Sequence, residues 1–248
     1  MRSHAKDGAY NETAILNSLN KHYYKDLSSN WKRHMKRMFK NIEDNDYIVA
    51  KYHEDKLAKP DIEITVNNRT IFLSIKSGNH PQMHNEPVKT FFDFLRSYDV
   101  PERIIKIIAF YHYGYSIKKG VTEKPLTREE IINKYSEYIK EVNTYFYEHQ
   151  EIVNEIIYRS VIRGRLNGDL IDYFYYGNSA KGLLFSTHNI IELIMNDKNK
   201  ECESICFNAL VYGPCERKVT GAKHHSIKIS WPILCHYFYD NYYIKRFG

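Results

Sequence analysis

The chain of 248 residues is longer than one small domain needs and shorter than two ordinary ones require, so a single large domain spanning 1–248 is expected. Hydrophobic residues at 43% and charged residues at 27% provide enough apolar surface for a packed core, which excludes global disorder. No apolar run reaches the roughly eighteen residues of a membrane span, and Lys plus Arg exceeds Asp plus Glu by 36 to 30, a net +6 compatible with a polyanionic partner.

In chain order, Ile15, Leu16 and Leu19 recur at helical spacing within Tyr10 to Lys21, and Ser29 to Lys40 forms a basic amphipathic helix carrying Trp31, Met35, Met38 and Phe39. The N-terminal segment has no apolar stretch before a small-residue cleavage site, and a cytoplasmic protein is expected. Pro60 to Val66 alternates, Asn67-Asn68 supplies turn chemistry, and Ile71 to Lys76 alternates again, which predicts a β-hairpin. Asn85 is expected to cap a helix running to about Tyr98, with Glu86 and Pro87 in its first turn and Val88, Phe91, Phe92 and Leu95 on its apolar face. The β-branched run Ile104 to Tyr111 predicts a buried strand. Thr127 with Glu130 reads as a capping-box start of a helical stretch to about Arg165, broken near Gln150. Strands are expected at Ile171–Tyr176, Leu183–Ser186, Ser204–Val211 and Ser226–Trp231, with a helix at about His188–Met195. The chain therefore reads as mixed α/β. Cys202, Cys206, Cys215 and Cys235, spaced by four, nine and twenty, match no paired zinc-binding spacing, and reduced packed thiols are expected; a zinc site helped by His224, His225 or His236 is the alternative.

The hairpin carries the chemistry. Period-2 alternation puts Asp61, Glu63 and Thr65 on one face of its first strand, and Ser74 with Lys76 on one face of the second. An aspartate and a lysine can then share a cleft. Glu86, at the expected helix start, is a further acid that can reach it. Glu12 lies three and four residues before Ile15 and Leu16, at the end of the core-facing stripe, where a carboxylate needs a metal ion or a cationic partner. Acids from a helix and a strand beside a lysine suit Mg²⁺, which prefers oxygen ligands, with the ammonium placed to stabilise phosphorane charge or orient a water. Glu63 is a spare carboxylate on the Asp61 face.

Pro60-Asp61, twelve residues, then Ser74-Ile75-Lys76, preceded by Glu12 on a helix, resembles the PD-(D/E)xK nuclease superfamily with its restriction endonuclease-like fold. Ser74 stands where that pattern has Asp or Glu. Some restriction enzymes of the superfamily have serine there and draw the acid from a following helix, which makes Glu86 the replacement the resemblance implies. Ser74 to Leu95 is similar to a pattern of uncharacterised restriction-like nucleases, and His225 to Trp231 resembles their basic C-terminal strand.

The resemblance implies a restriction endonuclease-like mixed central sheet flanked by helices, with the catalytic core at about 8–112 and helical and β additions for recognition or dimerisation at 113–248. It implies a type II restriction enzyme hydrolysing double-stranded DNA with Mg²⁺, for which Mn²⁺ substitutes, through Asp61, Glu86 and Glu12 as metal ligands and Lys76 at the nucleophile. It further implies a homodimer and a cognate methyltransferase acting on the same site. Lys32, Arg33, Lys36, Arg37 and Lys40 on the second helix, and Arg159, Arg163 and Arg165, are candidate DNA-backbone contacts, with a solvated helix face as the alternative. Ser74 keeps open a non-catalytic DNA-binding module with a degenerate nuclease fold; a nuclease of repair intermediates, DNA ends or RNA is a third reading.

Overall fold

The computed structural model describes residues 4–55, 58–79, 81–115, 125–164, 169–197, 203–215 and 223–239. Arg165 and Cys202, among the expectations above, lie outside them. The chain folds as two compact units, 1–81 with 161–192 and 233–248, and 82–160 with 193–232.

The first unit is built on a sheet of β1 (His22–Tyr23), β2 (Tyr47–Tyr52), β3 (Ile62–Val66), β4 (Arg69–Lys76), β6 (Tyr173–Gly177) and β7 (Gly182–Ser186), in the order β1-β2-β3-β4-β6-β7. Every neighbouring pair is antiparallel except β4 and β6, which run parallel. The sheet is thus mixed, and it takes two strands from beyond 8–112. The β3–β4 hairpin forms as its alternation demands: Ile62, Ile64 and Val66 are buried, as are Ile71, Leu73 and Ile75. Asn67 and Asn68 take φ of 47° and 65°, the left-handed pair that a tight two-residue hairpin turn requires and asparagine tolerates.

Helices α1 (His4–Leu19) and α2 (Ser29–Met38) bury Ile15 and Leu19, and Trp31, Met35 and Met38, in one cluster with Ile62, Ile64, Leu73, Ile75, Tyr175 and Leu184. Ser28 caps α2 by accepting the Trp31 N–H. Trp31 stacks on Tyr175 at 4.9 Å, and a Cβ on Gly182 would come within 2.3 Å of the Tyr175 ring, so glycine is required there.

Inside this cluster His34 is 1% exposed. Its Nε2 lies 3.2 Å from the Gly182 carbonyl oxygen, so Nε2 carries the proton, and Nδ1 has no hydrogen-bond partner among the described residues. Burial first, then the charge of Arg33, lowers its pKa from 6.5 to about 4, against the opposing hydrogen bond to Gly182. The neutral ring is the folded form. Its contribution to stability is complete above pH 6.5 and is lost as pH falls towards 4, on the order of 3 kcal/mol for this separation of pKa values. Urea unfolding at pH 7 and pH 4.5 is expected to show this loss in the wild type and a flatter pH dependence in His34→Asn; equal slopes in the two proteins would reject it.

The second unit holds β5 (Gln82–Pro87), α3 (Val88–Ser97), α4 (Glu102–Tyr113), α5 (Arg128–Lys134), α6 (Ser136–Glu148), α7 (Gln150–Ile157), β8 (Cys206–Phe207), β9 (Leu210–Pro214) and β10 (Ser226–Ser230), with an antiparallel sheet in the order β5-β10-β9-β8. Thr127 and Glu130 make the capping box at the start of α5. Helix α8 (Thr187–Asn196) matches the expected helix at His188–Met195, and α9 (Leu234–Tyr239) ends the described chain. No helix among the described residues is long and apolar enough to cross a membrane.

Four local expectations are corrected. Ile104 to Tyr111 lies in α4, because Ile104, Ile105, Ile107, Ile108 and Tyr111 are buried at helical spacing, with Pro101 before the helix and Gly114 closing it at φ 71°. Asn85 and Glu86 lie in β5, since they pair with Lys228 and Ile227 of β10, and the helix begins only at Val88. The strand expected at Ser204–Val211 is a hairpin turned at Asn208, φ 53°. Cys206 is disulfide-bonded rather than a reduced thiol, whereas Cys215 and Cys235 are not in disulfides.

Candidate active site

The register of the hairpin, with Ile62 opposite Leu73, places Asp61 across from Ser74 at the end of β3. The Asp61 N–H donates to the Leu73 carbonyl at 2.9 Å, and its own carbonyl accepts the His53 N–H at 3.2 Å, so the backbone on either side is held. Asp61 Oδ2 then accepts from three donors: Ser74 Oγ at 3.0 Å, the Ile75 N–H at 2.5 Å and Lys76 Nζ at 3.2 Å. Lys76 Nζ also donates to the Ile75 carbonyl at 2.8 Å. The ammonium is thus seated between a carboxylate and a carbonyl oxygen. Side-chain exposures of 19% for Lys76 and 22% for Asp61 leave both in reach of a substrate. Asp61 Oδ1 carries no hydrogen bond among the described residues.

Glu12 joins the pair from α1. It is half-buried and accepts no hydrogen bond among the described residues. Burial, then repulsion from Asp61, raises its pKa, and the charge of Lys76 partly offsets them. That electrostatic coupling puts Glu12, Asp61 and Lys76 in one neighbourhood. Next to Glu12, Asn11 Nδ2 donates to the Gly177 carbonyl at the end of β6 at 2.9 Å, which pins this turn of α1 to the sheet.

Glu86 is committed elsewhere. In the second unit both its oxygens are taken by Arg159, Nε to Oε1 at 2.8 Å and Nη2 to Oε2 at 2.6 Å, and His84 Nε2 lies 3.2 Å from Oε1. The guanidinium also sits over the Phe94 ring at 4.6 Å. Burial pushes the Glu86 carboxyl up, but the hydrogen bonds from Arg159 and His84 outweigh it and hold the pKa below the usual carboxylate value. The side chains of Glu86 and Arg159 are 0% and 9% exposed. Arg159 is therefore withdrawn from any phosphate-contacting face as well.

Among the described residues no three His, Cys, Asp or Glu side chains come together as a metal-holding group. The pairing of β5 with β10 carries Glu86 into its own buried ion pair with Arg159. Glu63 accepts from His53 Nδ1 at 3.0 Å and Lys51 at 3.3 Å, so it is a paired neighbour on the Asp61 face. Of the basic residues, Arg33, Lys36, Arg37 and Lys40 are exposed and Lys32 is half-buried, and Arg163 has a buried Nε without a hydrogen-bond partner among the described residues. What sequence reasoning missed is the part played by the Ile75 backbone and by Asn11: a main-chain donor and acceptor leave no residue signature, and Asn11 acts through a partner far along the chain.

The oxygen donors gathered here, two carboxylates and a carbonyl, suit a hard cation such as Mg²⁺.

No protein-family model and no curated protein matches this chain. Among solved structures, the fold is similar to that of the restriction endonuclease MspI in complex with its cognate DNA, with a TM-score of 0.59 over 92% of this chain and 93% of that one, at 10% sequence identity. At that identity the likeness is one of architecture: the chain has a restriction endonuclease-like fold, a mixed central sheet flanked by helices.

Proposed function

We propose that the protein is a divalent-metal-dependent endonuclease of restriction type acting on double-stranded DNA. The observation that carries this reading is the Asp61–Lys76 contact at the end of the hairpin, with Glu12 electrostatically coupled to both, within a fold similar to that of a restriction endonuclease. Asp61, through its free Oδ1, and Glu12 would hold Mg²⁺ or Mn²⁺, with the Ile75 carbonyl as a further oxygen. A cation bound there supplies Lewis-acid neutralisation of the phosphodiester's charge. Lys76 presents its ammonium to the negative charge that builds on the phosphoryl oxygens during in-line attack, and orients the attacking water. Ser74, 1% exposed, and the Ile75 N–H fix the Asp61 carboxylate by binding Oδ2. Action on palindromic sites as a homodimer, and protection of host DNA by a methyltransferase, belong to the same reading.

Unmodified phage or plasmid DNA incubated with the full chain is expected to yield discrete fragments in Mg²⁺ and to stay intact in chelator. DNA left whole in both Mg²⁺ and Mn²⁺ would overturn the proposal. The serine at position 74 favours one rival, a module that binds DNA without cutting it; its mark would be DNA affinity unchanged by divalent cations and no calorimetric heat of Mg²⁺ binding.

A further inference from the structure

Between Ser29 and Lys40 the chain carries five cations, Lys32, Arg33, Lys36, Arg37 and Lys40, and no acid, so five of the net six positive charges fall within twelve residues. Arg33, Lys36 and Arg37 recur at i, i+3 and i+4 on α2, which gathers them on one side of the helix, and Lys40 follows just past its end. All four are exposed, and none forms an ion pair among the described residues; Arg33 Nη2 has only Asn30 Oδ1, at 3.4 Å. Their charge is felt within the protein, where Arg33 and Arg37 both push the pKa of His34 down. Arg69, over the Phe39 ring at 5.8 Å, continues the basic surface at the far end of the helix.

The helix is held at both ends. Asn30, at the start of α2, donates to the Tyr175 hydroxyl at 3.3 Å, and Tyr175 precedes Tyr176, which pairs with Lys76. At the other end, the Tyr173 hydroxyl donates to the Arg37 carbonyl at 3.1 Å. The stripe runs for about 10 Å along α2, a span of about three phosphates along one DNA strand. A lipid surface is a poor fit, because the apolar side of α2 is spent on the core, with Trp31, Met35 and Met38 at most 1% exposed.

We propose that Arg33, Lys36, Arg37 and Lys40 form a sequence-independent docking stripe for the DNA backbone. This deepens the nuclease reading, on which the choice of DNA as partner rests. Such contacts position the duplex and release counterions without reading bases.

The test is equilibrium binding of the full chain to unrelated duplexes in chelator, over a range of salt. Replacing Arg33, Lys36 and Arg37 with Gln is expected to weaken binding about equally for every sequence and to lower the slope of log K against log salt by about 2 to 3, since each phosphate left without its cation removes about 0.9. Because the side chains are exposed, the melting temperature should hold; the variant Arg33→Lys with Arg37→Lys, which keeps the charge, should retain the slope. A salt slope equal to that of the wild type overturns the proposal, as it would if the stripe receives an acidic protein instead. A wild type that binds DNA but cuts none would defeat the nuclease reading and leave this stripe standing.

Discussion

Asp61→Ala and Lys76→Ala are each expected to lower the rate of DNA cleavage by about 10³-fold or more, with little change in DNA affinity measured in chelator. Asp61 is the hub of the site: its Oδ2 organises Ser74, the Ile75 N–H and Lys76, and its Oδ1 is the carboxylate oxygen left for a cation. Removing it takes away the carboxylate that holds the ammonium and, on the proposed reading, a metal ligand at once. Lys76→Ala removes charge that counts only as the transition state forms, so the loss falls on turnover rather than on binding. Because the two residues act as one unit, the double variant should be about as slow as either single one. Calorimetry separates the roles: divalent-cation binding should vanish in Asp61→Ala and survive in Lys76→Ala. Undiminished cutting by both variants would remove these residues from the chemistry.

The second large effect concerns stability. Arg159→Met is expected to destabilise the protein by about 3 to 5 kcal/mol, because it strands the buried Glu86 carboxylate without its bidentate partner. Glu86→Leu in the same chain should restore much of the loss, since an apolar pair can replace a buried ion pair. Acid should act in the same direction. The depressed pKa of Glu86 gives stability that is complete above the ordinary carboxylate value of 4.5 and is lost as pH falls through the lower folded value. Denaturant unfolding measures the effect, and divalent-cation affinity supplies the contrast. A structural Glu86 predicts unchanged cation binding in Glu86→Gln, whereas a tenfold loss would return Glu86 to the metal shell.

The two experiments address the parts of the candidate site that were legible in the chain to different degrees. Asp61 and Lys76 could be read because a hairpin is local: alternation sets the faces, Asn67-Asn68 sets the turn, and together they set the register that brings position 61 opposite 74. Glu12 was legible for a similar reason, through its place at the end of the helical stripe that includes Ile15. Glu86 was not. Its neighbours Asn85 and Pro87 carry helix-start chemistry, yet the strand β10, about 140 residues later, captures the segment, and Arg159 supplies the partner. Backbone pairing with a distant strand satisfies more donors and acceptors than a single helix cap, and no local pattern announces it.

By itself, then, the sequence determined the mixed α/β class, the hairpin with its Asp61–Lys76 face, the Thr127 cap and the basic stripe of the second helix, all features whose physical cause lies within a dozen residues. Only the tertiary structure decided that Ile104 to Tyr111 winds into a helix and that β6 and β7 complete the sheet that carries the hairpin. It also decided that Ile75 contributes its main chain, and that Glu86 is spent on Arg159. Those outcomes depend on which buried surfaces and unpaired backbone groups meet after the chain has closed long loops, and that energy is non-local.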